Sequence, residues 1–172
     1  MLNIKLIMAI AFGVLGVSFC GAETLQNEIR VLLMGDSTTA GGRPVFEESI
    51  EKLAAGRDSM PAVTVINVGR GGETAHSLFS SGRYDKEIEG IEHIDYIFFR
   101  YGINDWIKRK PFEKRFPTDL KKAIERVEGD FPDAKLVLMT IIPFFKNQKA
   151  HAEVNDIIKQ MAKEHDVALL DI

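Results

Sequence analysis

The feature that most restricts this chain is an alternation. Short apolar runs of strand length, Ile29–Met34, Val63–Val68, Asp95–Arg100, Leu136–Ile142 and Val167–Asp171, are separated by longer amphipathic stretches of helix length. Near-continuous apolar strands are buried on both faces, and a strand-helix-strand alternation makes successive strands parallel, with the crossover helices laid over the sheet. The pattern predicts a three-layer α/β/α sandwich around a five-stranded, mostly parallel sheet. No repeat, low-complexity tract or linker interrupts it after residue 22, which predicts one domain over residues 23–172.

The helices carry their own punctuation. Pro44, then Phe46, Ile50, Leu53 and Ala54, predicts a helix with proline in its first turn that stops at Gly56. Thr118 as N-cap, the stripe Leu120, Ala123, Ile124 and Val127, and Gly129 behind it predict a second. Ala150, Val154, Ile157, Ile158 and Met161 make a third stripe, and Asp85–His93 is expected to form a weaker helix.

The first 22 of the 172 residues stand apart. Lys5 is followed by an apolar run from Leu6 to Cys20, and Gly21-Ala22 supplies small residues, so Met1–Ala22 reads as a secretory signal peptide cleaved after Ala22. Lipid anchoring through Cys20 is the alternative, although Phe19 stands where such signals use a small residue. The apolar run is short of the ~20 residues a membrane helix needs. Cleavage would leave Glu23–Ile172 without a cysteine, which excludes thiol catalysis and thiolate-bound metal. The net charge of −3 argues against nucleic acid as a partner, and Lys108-Arg109-Lys110, the densest basic run, is expected on a solvated loop.

In open α/β sheets the ligand crevice lies beyond the carboxyl ends of the strands. Three such junctions are unusual: Gly35-Asp36-Ser37-Thr38-Thr39, Asn67-Val68-Gly69-Arg70-Gly71-Gly72-Glu73-Thr74, and Gly102-Ile103-Asn104-Asp105. A serine in a tight turn after a strand presents its hydroxyl and its own N–H to the crevice. Glycines let backbone N–H groups approach a developing negative oxygen, and Asn104 offers a side-chain N–H from a third direction. Serine with convergent neutral donors is the equipment of acyl transfer through a tetrahedral oxyanion.

These three segments, in this order, resemble the first three blocks of the SGNH (GDSL-type) hydrolase superfamily, with its flavodoxin-like sheet. The resemblance spans Arg30 to Asp171. It implies Ser37 as nucleophile, and the Ser37 N–H, the Gly72 N–H and the Asn104 side chain as oxyanion hole. Asn67 through Gly82-Arg83-Tyr84 also resembles carbohydrate acetylesterases of the rhamnogalacturonan type, which implies a carbohydrate or other small ester as substrate and no cofactor. The family's fourth block, Asp-x-x-His, which carries the general base, is absent from the sequence. The expectation is that the domain is cut after its last strand and that the base lies beyond Ile172. His76, at the start of a helix leading away, is the histidine nearest the crevice; His93, His151 and His165 are expected away from the carboxyl edge.

Structural roles compete with functional ones at the other marked residues. Asp36 reads as a turn former bonding backbone N–H groups, Gly69 and Gly71 as turn residues, and Asp105 as a cap or loop brace. Trp106 is either a sugar platform or a cover for the core edge. Arg70 and Glu73 face substrate or each other, and Phe144 and Phe145 either wall an acyl site or seal the core. The rival readings of the whole chain are a non-catalytic binding module, a lysophospholipase- or thioesterase-type acyl hydrolase, and a phosphate binder using Val68–Thr74. The last lacks a P-loop lysine and a G-x-G-x-x-G fingerprint. No His/Asp/Glu cluster has metal-ligand spacing.

Overall fold

The structure is a computed structural model describing residues 28–41, 45–57, 60–143 and 147–172. The expected signal peptide Met1–Ala22, together with Cys20, Pro44, Phe144, Phe145 and the side chain of Phe46, lies outside the described residues.

Five parallel strands form one sheet in the order β2-β1-β3-β4-β5. They are β1 (Glu28–Gly35), β2 (Ala62–Asn67), β3 (Tyr96–Arg100), β4 (Lys135–Met139) and β5 (Ala168–Leu170). Between them run α1 (Ser37–Ala40), α2 (Val45–Ala55), α3 (Ala75–Ser80), α4 (Arg83–Ile88), α5 (Ile103–Lys108), α6 (Phe112–Asp130) and α7 (Gln148–Glu164). The pleat sorts each strand onto two cores. Leu32, Met34, Ile97, Phe99, Leu136 and Leu138 meet α3, α6 and α7 on one face, while Val31, Leu33, Phe98, Val137 and Met139 lie on the other, where α2 contributes Ile50. Each such side chain removed from water is worth roughly 1.5–3 kcal/mol, so the alternation fixes strand register as well as layer.

The predicted sandwich and all five strands are present, and the differences are local. The fourth strand ends at Met139, short of the expected Ile142: Thr140 N–H still donates to Leu170 O at 3.1 Å, but Ile141 N–H leaves the sheet for Asn155 Oδ1 on α7, at 2.9 Å. α6 begins at Phe112, well before the expected cap. Phe112 and Phe116, one turn apart, stack at 5.1 Å and extend the buried stripe back toward the N-terminus. Thr118 therefore lies inside α6 and bonds the Lys114 carbonyl at 3.0 Å. Gly129 also falls within α6, which runs on to Asp130 so that Phe131 can cap it through Val127 O and enter the core. The expected Asp85–His93 helix is Arg83–Ile88, bracketed by Gly82 at φ 70° and Gly90 at φ 77°. The short helix α3 begins beside His76, where a helix was expected, whereas α5 begins where a loop was expected to continue.

Candidate active site

All three marked junctions leave carboxyl ends of neighbouring strands, β2, β1 and β3, and hydrogen bonds draw them together. The chain leaves β1 at Gly35, where a Cβ would stand 2.1 Å from Thr39 Oγ1 and 2.9 Å from the Arg100 carbonyl. Only glycine permits that turn. Asp36, 1% exposed, caps α1 by accepting from Thr38 N–H and from Thr38 Oγ1, each at 2.9 Å. The turn-forming role expected for it is present. Ser37, the first residue of α1, is exposed, and neither its N–H nor its hydroxyl is bonded to a described residue.

The glycine loop is tied to this turn along its length. Arg70 N–H donates to the Gly35 carbonyl at 2.9 Å, Asn67 Nδ2 to Thr39 O at 3.1 Å, and Gly69 N–H to Asn67 Oδ1 at 2.9 Å. Gly69 packs so closely on α1 that a Cβ would meet Ala40 N at 2.8 Å, and a Cβ on Gly71 would stand 3.9 Å from Ser37 Cβ. Gly72 has φ 75°, and its N–H donates to no described residue. The loop ends at Thr74, whose hydroxyl and Ser77 form a reciprocal cap on α3.

Asn104 lies in α5, and its Nδ2 donates to Asp36 Oδ2 at 3.2 Å. An amide nitrogen carries two hydrogens, so one remains for another acceptor. The neighbouring Asp105 is fully buried and braces α3, both carboxylate oxygens accepting from Ala75 N–H at 3.1 and 3.2 Å. Burial pushes its carboxyl up from the ordinary 3.8 to about 7, with Asp119 nearby adding to the shift against the bonds from the start of α3. The structure thus brings Ser37, Gly72 and Asn104 to one edge of the sheet, as the sequence reading expected.

Other expectations change. Glu73 pairs with Arg83 and not with Arg70: Arg83 Nε donates to Glu73 Oε1 at 2.6 Å, a second bond joins Nη2 to Oε2, and Nη1 reaches Val68 O at 2.9 Å. Tyr101 donates its hydroxyl to Glu73 Oε2 at 2.8 Å, and burial holds its pKa well above the ordinary value. Arg70 stays exposed, without an ion pair to a described residue. Trp106 covers the core edge, its Nε1 donating to Glu153 at 2.7 Å and Lys110 lying 4.1 Å over its ring. Arg109 holds Asp119 at 2.9 and 3.2 Å, so the basic run is committed to structure and is no freely solvated loop. His151 lies at the carboxyl edge after all, 3.0 Å from Asn155, which binds the backbone just after β4. His76 Nδ1 stands 3.3 Å from Asp119.

Sequence reasoning marked Arg83 within Gly82-Arg83-Tyr84 but not its pairing with Glu73, and it missed Tyr101 and Arg100. Arg100 ends the apolar strand β3, is buried, and donates to Thr39 Oγ1 at 3.2 Å beneath the serine turn. Burial lowers its pKa, while Asp36 opposes that shift. An arginine closing an otherwise apolar run was the available signal. Among the described residues no cluster of His, Cys, Asp and Glu could hold a metal ion, and no helix is long and apolar enough to cross a membrane.

A parallel sheet in this order, with these three blocks at its carboxyl edge, is the architecture of the SGNH hydrolases. The chain belongs to the GDSL-like lipase/acylhydrolase family, whose sequence profile matches residues 33–172. It is 28% identical over 161 residues to the protein named probable rhamnogalacturonan acetylesterase YesY from Bacillus subtilis (strain 168), spanning 86% of this chain and 68% of that protein. The fold is similar to that of Axe2, an acetylxylan esterase from Geobacillus stearothermophilus (TM-score 0.64, 20% identity, 83% of this chain and 75% of that one). It is also similar to that of the psychrotrophic esterase EstA from Pseudoalteromonas sp. (TM-score 0.62, 21% identity, 83% and 76%).

Proposed function

We propose that this protein is a serine ester hydrolase that removes acetyl groups from a carbohydrate through an acyl-enzyme. The observation that carries the reading is the exposed Ser37 at the start of α1, its N–H and that of Gly72 bonded to no described residue, beside an Asn104 amide anchored on Asp36. Ser37 Oγ attacks the ester carbonyl carbon and its proton passes to a base. The carbonyl oxygen becomes an oxyanion that accepts from Ser37 N–H, Gly72 N–H and Asn104 Nδ2. Collapse expels the sugar hydroxyl as alcohol, and water then attacks the acetyl-serine to release acetate and restore Ser37. The acetylesterase names of the relatives support an acetylated carbohydrate as substrate.

For the base, one observation favours His76. Its Nδ1 faces Asp119, itself fixed by Arg109, which is the orienting arrangement of an acid–imidazole pair. The competing reading places the base on a segment outside the described residues. An activated acetyl ester and an acetylated oligosaccharide decide these points. Ser37→Ala should lower acetate release by at least ~10³-fold, and unchanged release would sink the serine mechanism. Loss of turnover in His76→Ala assigns the base to His76; full turnover assigns it elsewhere.

The same reading takes Met1–Ala22 as a signal peptide and Glu23–Ile172 as the exported domain. An N-terminus at Glu23 in protein recovered outside the cytoplasm tests it.

A further inference from the structure

Asn104 and Lys108 are four residues apart in α5, so their side chains leave the same face of that helix. Asn104 reaches the serine turn through Asp36, at 3.2 Å. Lys108 reaches the glycine loop, where its ammonium donates to the Gly72 carbonyl. The point where a Cβ on Gly72 would stand is 3.4 Å from Lys108 Nζ, so the cation rests directly against the residue with φ 75°. The loop's other anchors lie to either side of Gly72. Arg70 holds Gly35, and Glu73 is held by Arg83 and Tyr101. Among the described residues the only side chain on Gly72 itself is that of Lys108. Its neighbours in the basic run are occupied, Arg109 with Asp119 and Lys110 over Trp106. One face of one short helix therefore carries both the side-chain oxyanion donor and the clamp on the backbone donor.

We propose that Lys108 is a positioning residue for the oxyanion hole: its ammonium, bonded to the Gly72 carbonyl, holds the left-handed turn in which the Gly72 N–H meets the substrate oxyanion. The proposal rests on the reading of Ser37 and Gly72 given above. Its test therefore uses a probe of the hole that requires no turnover. Ethylboronic acid forms a bond from Ser37 Oγ to boron, releases the serine proton to solvent, and leaves a tetrahedral anion whose oxygen occupies the oxyanion position.

Lys108→Met keeps the apolar stem and removes the charge at an exposed site, so folding is retained. It should weaken boronate affinity about tenfold and lower kcat on an activated acetyl ester by a similar factor with KM within about twofold, less than removal of a direct donor. Lys108→Arg should restore both to within about threefold. Wild-type affinity and kcat in Lys108→Met would overturn the role of Lys108, provided Ser37→Ala abolishes boronate binding. Boronate binding unchanged in Ser37→Ala, or absent from the wild type, would instead overturn the serine site and the positioning role with it.

Discussion

Asn104 Nδ2 and Asp36 Oδ2 lie 3.2 Å apart and join the third marked block to the first, across 68 residues of sequence. The same carboxylate caps α1 through its other oxygen. Asp36→Asn separates the two jobs. Asparagine is as good an N-cap as aspartate, so α1 should survive and the melting temperature should change little. An amide nitrogen in place of Oδ2 would face the Asn104 nitrogen, donor against donor, and Asn104 would turn its oxygen toward residue 36. The proposed oxyanion hole then loses a donor, so turnover and boronate affinity should fall by ~10²-fold or more. A variant with full activity would show that Asp36 matters only as a cap.

Two glycines in these loops should answer very differently to alanine. Gly35→Ala places a methyl 2.1 Å from Thr39 Oγ1 and 2.9 Å from the Arg100 carbonyl, and neither can retreat, one being held by the buried Arg100 and the other part of β3. Overpacking of this kind costs about 1–3 kcal/mol, or roughly 3–10 °C in a domain of this size. Gly71→Ala meets nothing nearer than Ser37 Cβ at 3.9 Å and should melt within about 2 °C of wild type. Thermal unfolding of the pair is the measurement. Equal losses would mean that the turn at Gly35 relaxes.

What was legible in the sequence follows from how local each signal is. The strands were readable because each is a continuous apolar run, and the three marked loops because each abuts a strand end. Boundaries depended on partners far along the chain. Beyond Met139 only Thr140 N–H still reaches β5, at Leu170 O, and Ile141 N–H turns to Asn155 instead; the start of α6 depends on a nearer pair, Phe112 and Phe116, stacked one turn apart. Within the site, Ser37, Gly72 and Asn104 sit in short motifs, whereas Arg83, Tyr101 and Arg100 act on residues 10, 28 and 61 positions away. A local pattern can mark such a side chain, as the arginine that closes an apolar strand does, but it does not name the distant partner.

The Arg83–Glu73 pair is buried, with Tyr101 on the same carboxylate. Removing one partner strands a charge away from water, which typically costs about 3–5 kcal/mol, whereas replacing both with apolar residues costs far less. Arg83→Met should therefore be strongly destabilised in urea, and the double variant Glu73→Leu/Arg83→Met should recover much of the loss. If the double variant is no better than Arg83→Met, the bond from Arg83 to Val68 O, and not the ion pair, holds the loop.

Asp105 predicts a pH dependence of stability with a definite sign. Its carboxyl titrates at about 7 in the folded protein against an ordinary 3.8, because it is fully buried and Asp119 is near. Between those values the folded state keeps a proton that the unfolded state has lost, so stability falls as pH rises from about 4 to about 7, and this contribution is flat beyond. The steepest loss is about 1.4 kcal/mol per pH unit. Asp105→Asn carries no titrating proton, and its Oδ1 can still accept from Ala75 N–H. The difference in melting temperature, variant minus wild type, should therefore shift in the variant's favour between pH 4 and pH 7 and stay constant above. A shift toward the wild type over the same range would mean that the ionised carboxylate gains more from the N–H groups at the start of α3 than it loses by burial.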